Sequence, residues 1–225
     1  MQRWLSELVG TFALVFAGTG AIVINNATGG AVTHAGIALT FGLIVLAMIY
    51  ALGDISGAHL NPAVTTAFAL AGRLEWPEVP GYITAQLAGA LAASGLLAVL
   101  FPADPRLGAT LPAGPAWQSF VLEIVLTFIL MLVILSVSTG TKEKGITAGI
   151  AIGSVIALEA MFAGPICGAS MNPSRSLAPA VVSGHWQHLW VYLAGPLLGA
   201  ALAVPICCGL RGRACCARAK ELAGV

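Results

Sequence analysis

Two apolar segments of this chain are too short to cross a bilayer, and they sit between six that are long enough. The six run over Trp4–Ile24, Ala35–Leu52, Pro80–Leu100, Trp117–Ser138, Gly145–Ala163 and Gln187–Cys208, each near the roughly 20 apolar residues that a transmembrane helix needs. The two short ones are Asn61–Ala71 and Asn172–Val182; at about 1.5 Å of rise per residue neither spans. Each follows a Gly-rich run that reads as irregular, Gly53–Leu60 and Gly164–Met171. Irregular backbone at membrane depth is tolerated only when buried in protein or lining a water-filled cavity. The pattern therefore predicts an all-α membrane protein with six transmembrane helices and two re-entrant half-helices.

Composition agrees. The chain is 58% hydrophobic and 8% charged, with a mean hydropathy of +0.93, against about 25% charged residues in soluble domains. A net charge of +1 offers no basic patch for nucleic acid. The first apolar stretch is too long for a signal-peptide core and carries Glu7, so no cleaved leader is expected. Glycines recur inside apolar stretches, as in Gly149/Gly153, Gly195/Gly199 and the small pair Gly89/Ala93; such residues let helices approach closely in lipid.

With six spans both termini lie on one side. That side collects Arg3, Arg73, Lys142, Lys144, Arg211, Arg213, Arg218 and Lys220, whereas Arg106 stands alone in a connecting loop opposite. The positive-inside rule places the termini in the cytoplasm.

The chain is duplicated. Ser-Gly-Ala-His-Leu-Asn-Pro at 56–62 matches Cys-Gly-Ala-Ser-Met-Asn-Pro at 167–173, and Glu7-x-x-x-Thr11-Phe12 matches Glu123-x-x-x-Thr127-Phe128. Ala35-Gly36-Ile37-Ala38 matches Ala148-Gly149-Ile150-Ala151. One channel domain over 1–225 thus holds repeats at about 1–105 and 113–210, with a short tail at 211–225. Three spans per half make the repeats inverted, which brings broken helices face to face near the midplane.

Asparagine caps a helix through its side-chain oxygen, and proline suits the next position. Asn61-Pro62-Ala63 and Asn172-Pro173-Ser174 therefore start the half-helices, with each Asn amide NH₂ left free to face the lumen. Their positive ends meet at the pore centre and repel cations. The carbonyls of Gly57, Ala58 and His59, and of Gly168, Ala169 and Ser170, are the expected ladder of acceptors for a permeant.

On these motifs both halves resemble the aquaporin (major intrinsic protein) family over about residues 5–205. The resemblance is to its nodulin-like subgroup through Gly164-Pro-Ile-Cys-Gly-Ala-Ser-Met-Asn-Pro-Ser-Arg-Ser-Leu-Ala-Pro179 and Ala71-Gly-Arg-Leu74. Ser174 departs from the usual Ala. The resemblance implies a right-handed bundle, a homotetramer with one pore per subunit, a plasma-membrane location and no cofactor. It also implies a filter of Phe41, Ala160, Ala169 and Arg175. Water-selective members usually have His where this chain has Ala160, and glycerol facilitators usually have Asp where it has Ser176. Tyr192-Leu193 follows the nodulin-like pattern. A filter with two alanines opposite Phe41 and Arg175 implies passage of water and small uncharged solutes such as glycerol, urea, and boric or arsenous acid; a strictly water-selective channel is the alternative.

Glu7 and Glu123 are intramembrane acids at matched positions, expected to accept bonds from the adjacent re-entrant loops; proton transport is the competing role. Glu159 has no counterpart and is open to two readings, orienting Arg175 or its loop, or bonding a neighbouring helix. His59 acts through its carbonyl, and His34, His185 and His188 read as loop residues. Cys207/Cys208 and Cys215/Cys216 are expected to stay thiols in a reducing compartment and match no zinc spacing. Cys167, beside the second signature, is a candidate target for mercurial block. No nucleophile–base pair, phosphate loop or metal cluster points to an enzyme. A secondary transporter would need a coupling site, for which only Glu159 offers itself, and a sealed scaffold would not need both asparagines and Arg175.

Overall fold

The computed structural model describes residues 1–138 and 142–216. Among the described residues, six helices are long and apolar enough to cross a membrane. They are α1 (Gln2–Ala27), α2 (Thr33–Ser56), α4 (Val79–Leu100), α5 (Ala116–Val137), α6 (Lys142–Cys167) and α8 (Leu189–Arg211). Between them lie the two short helices, α3 (Pro62–Leu70) and α7 (Pro173–Ser183), and a terminal turn, α9 (Arg213–Cys216), follows α8. Arg218 and Lys220, counted above for orientation, and the end of the tail lie outside the described residues.

Packing repeats with the duplication. Helix α1 lies against α4 as α5 lies against α8, α2 packs on α6, and each half-helix touches a spanning helix of the other half (α3 on α8, α4 on α7). Glycine makes the equivalent crossings possible. A Cβ on Gly89 would collide with the Leu8 carbonyl oxygen, and one on Gly199 with that of Ile124. Gly153 likewise meets the Gly42 carbonyl. The large apolar side chains left outside, such as Leu43, Val99, Trp117 and Leu158, cover the surface that lipid would solvate.

The helices before the pore loops run further than the Gly-rich composition predicts. Helix α2 continues through Gly53 to Ser56, and α6 through Gly164-Pro165 to Cys167. The physical reason is the cap: Gly57 N–H donates to Gly53 O and Gly168 N–H to Gly164 O, at 3.0 and 2.9 Å. Gly57 and Gly168 take left-handed backbones, φ 87° and 83°, where glycine is the favoured residue. The true irregular runs are therefore only four residues, 57–60 and 168–171.

Cysteine placement corrects another expectation. Cys207 pairs with Cys215 and Cys208 with Cys216 as disulfides, because the turn after α8 folds α9 back alongside it. The four cysteines expected to stand as separate thiols are thus brought together as two pairs between α9 and α8.

Candidate functional site

The two pore loops follow one backbone path. Gly57, Ala58 and Leu60 have φ of 87°, 46° and 52°, and Gly168, Ala169 and Met171 have 83°, 40° and 54°. Left-handed non-glycine residues are costly and persist where surroundings over-determine them. Here the surroundings are the buried acids. Glu7 accepts from His59 N at 2.9 Å and Leu60 N at 2.7 Å, and also from Ser56 Oγ and Gln86 Nε2. Glu123 accepts from Ser170 N and Met171 N, each at 2.8 Å. Both carboxyls are fully buried, so these bonds offset the cost of taking them out of water. These bonds hold the loop backbone, and neither acid is among the residues that line the two cavities along the axis.

Each loop ends at its capping asparagine. Asn61 Oδ1 accepts from Ala63 N, and Asn172 Oδ1 from Ser174 N and Arg175 N. The amide groups are less free than the caps alone predict. Asn61 Nδ2 donates to Met171 O at 2.7 Å, and Asn172 Nδ2 donates to Leu60 O at 2.8 Å. The two loops are therefore stitched to each other across the midplane, and one N–H of each amide remains for a permeant, since an NH₂ group has two.

Two cavities open along the axis. The larger, about 1270 Å³, runs from Arg73 and Leu74 past His59 to both asparagines. The smaller, about 230 Å³, is walled by His34, Ile37, Gly108 and Thr110. Four residues line both, and they are Phe41, Ala160, Ala169 and Arg175. They come from four separate places, α2, α6, the second pore loop and α7, and only the fold brings them together. Gly18 makes room for the Phe41 ring, with which a Cβ there would collide. The Arg175 guanidinium lies 5.1 Å from that ring's centroid, within cation–π range, and its Nη1 donates to Gly108 O at 2.8 Å. Of the expected acceptors, residues 57–59 and 169–170 line the larger cavity, and Gly168 and Ala169 the smaller.

Glu159 is buried at 1% exposure, lines neither cavity, and neither of its oxygens has a hydrogen-bond partner. Its carboxyl therefore bonds neither Arg175 and its loop nor a neighbouring helix, the two readings open to it from the sequence. Cys167 is fully buried and faces neither cavity, which removes the simple route to mercurial block. Its thiol accepts from Ala169 N and so belongs to the loop. The sequence reading missed His34, whose Nε2 lies 2.7 Å from Met161 O on the wall of the smaller cavity. It also missed Gly108 and Thr110. Nothing about a loop glycine signals that its carbonyl meets an arginine some seventy positions away.

Comparison with known proteins matches this geometry. A profile of the major intrinsic protein family covers residues 1–206. The chain is 49% identical over 200 residues to Aquaporin NIP1-3 of Oryza sativa subsp. japonica, covering 88% of this chain and 70% of that one. It is 48% identical over 201 residues to Aquaporin NIP1-1 of Zea mays, covering 89% and 71%. The fold is similar to the aquaglyceroporin from Plasmodium falciparum, with a TM-score of 0.81 and 27% identity over 90% of this chain and 93% of that one. The paired half-helices, the cross-stitched asparagines and these likenesses agree: the chain belongs to the major intrinsic protein family of multi-pass membrane channels for water and small solutes, and it is not an enzyme.

Proposed function

We propose that the protein is a passive channel whose filter admits small uncharged solutes together with water and rejects protons and ions. The observation that carries this reading is the set of four residues common to both cavities. Ala160 and Ala169 each end at a methyl group, so one side of the boundary is small and apolar. Arg175 supplies fixed positive charge and donors, and Phe41 an apolar wall. Such a boundary suits a solute with a carbon skeleton on one side and hydroxyls on the other, as in glycerol, and equally urea or boric and arsenous acid. It offers a cation no ring of acceptors in place of its hydration shell.

Exclusion of protons belongs to the centre. A water there accepts from the free N–H of Asn61 and of Asn172, so its oxygen is committed and the hydrogen-bonded file that would carry a proton is interrupted. The positive ends of α3 and α7 and the charge of Arg175 add a barrier to cations. The lysine and arginine bias supports cytoplasmic termini, and the family likeness supports a plasma-membrane location and a homotetramer with one pore per subunit.

Stopped-flow measurements on proteoliposomes test this directly. Water, glycerol and urea should all cross faster than in protein-free vesicles, with no added proton leak. Fast water flux with glycerol and urea at the protein-free rate would overturn the broad filter in favour of a water-only channel.

A further inference from the structure

The connection between α4 and α5, residues 101–115, forms part of the outer cavity wall; its later part is held by Thr110 Oγ1 donating to Ser176 Oγ and Ala113 N–H to Ile166 O, and its earlier part by Asp104. Asp104 Oδ1 accepts from Arg106 N at 3.0 Å and Leu107 N at 2.7 Å. Its Oδ2 accepts from Asn26 Nδ2, at the end of α1, also at 3.0 Å. The next two residues turn through left-handed backbone, Leu107 at φ 50° and Gly108 at 72°. Leu107 is buried, and Gly108 lies so close to Thr19 of α1 that a Cβ would be 2.8 Å from the Thr19 Cβ. The carbonyl thus aimed inward is the one that Arg175 Nη1 meets. Besides this bond the guanidinium faces the Phe41 ring, and its Nε is buried without a partner.

We propose that Asp104 is a positioning residue of the filter, which clamps the loop to α1 so that the Gly108 carbonyl holds Arg175 in place and sets the aperture. This rests on the proposed channel reading and adds the device that fixes its selectivity. Charge chemistry agrees with the geometry. Burial pushes the Asp104 carboxyl up, but bonds from Asn26, Leu107 and Arg106, with the Arg106 charge, outweigh it and hold the carboxyl below its ordinary range. It is therefore an ionised acceptor at neutral pH. The clamp lies at the surface, so its removal leaves the buried supports of the pore loops untouched.

The test compares wild type with D104A and the exchange N26D/D104N in proteoliposomes. Freed from Gly108, Arg175 gives way and larger solutes gain on water. D104A should raise the glycerol-to-water permeability ratio by roughly three- to tenfold, the effect of losing one net hydrogen bond. The exchange keeps an acceptor oxygen for the two backbone N–H groups and reverses the polarity of the bond to α1, so it should restore the wild-type ratio. Phenylglyoxal modification of Arg175, followed by peptide mass spectrometry, reads the clamp without transport and should be faster in D104A. An unchanged ratio and unchanged Arg175 protection in D104A would overturn the proposal. Wild-type vesicles that pass no solute would instead overturn the channel reading, while the labelling would still decide the clamp.

Discussion

Glu7 accepts four hydrogen bonds, from Ser56, His59, Leu60 and Gln86, where Glu123 accepts two backbone bonds, from Ser170 and Met171. The difference is visible in the duplication. Pro196 occupies the place of Gln86 and brings no donor, and Cys167 occupies that of Ser56, so Glu123 meets a thiol, a weak donor, in place of a hydroxyl. Similarly, Tyr82 donates to Ser56 O, whereas the equivalent Tyr192 hydroxyl is buried without a partner. The second half is thus the less satisfied one, and it supplies three of the four residues at the boundary between the cavities. The backbone path of the loops is the same to within a few degrees of φ. What duplication has kept is the geometry that joins the halves at the midplane, and what has diverged is the support behind the filter.

The comparison breaks first on the acids themselves. E7A strands four donors and E123A two, and a buried donor without an acceptor costs about 1–3 kcal/mol. Both variants should lose stability, with the loss for E7A about twice that for E123A, read from unfolding midpoints in detergent. An equal or larger loss in E123A would show that the count of bonds is not what holds the loops.

A smaller effect sharpens the same point. Ser56 Oγ both donates to Glu7 and accepts from Ala58 N, and Cys167 already accepts from Ala169 N. C167S should replace the weak thiol donor to Glu123 by a hydroxyl and raise stability by about 1 kcal/mol. A lowered midpoint would mean that the second loop is packed around sulfur and does not lack a strong donor. Because Cys167 lines neither of the two cavities, the same variant should leave any mercurial block unchanged.

Much of this architecture is legible in the sequence, because hydropathy, length and Asn-Pro capping are local signals. Six spans, two half-helices and the matched acids follow from them. The helix ends do not, since Gly53 and Gly164 read as breakers and only the structure shows their carbonyls accepting the capping N–H groups. The four filter positions were reachable through family likeness alone: Phe41 and Arg175 are 134 residues apart, and no periodicity links them. Gly108 and Asp104 were invisible because their roles depend on where a connecting loop lands. The cross-stitching of Asn61 to Met171 O was hidden for the same reason.

The central claim is that the solute is chosen at the boundary shared by the two cavities and not at the asparagines. The variant A160H tests it most directly, by setting an imidazole against Phe41 while leaving the midplane alone. In proteoliposomes, glycerol permeability should fall on the order of tenfold, equivalent to about 1.4 kcal/mol on the barrier, while water permeability stays within about twofold of wild type, well under the 1.4 kcal/mol of a tenfold change. Glycerol and water falling together, or neither changing, would contradict the account.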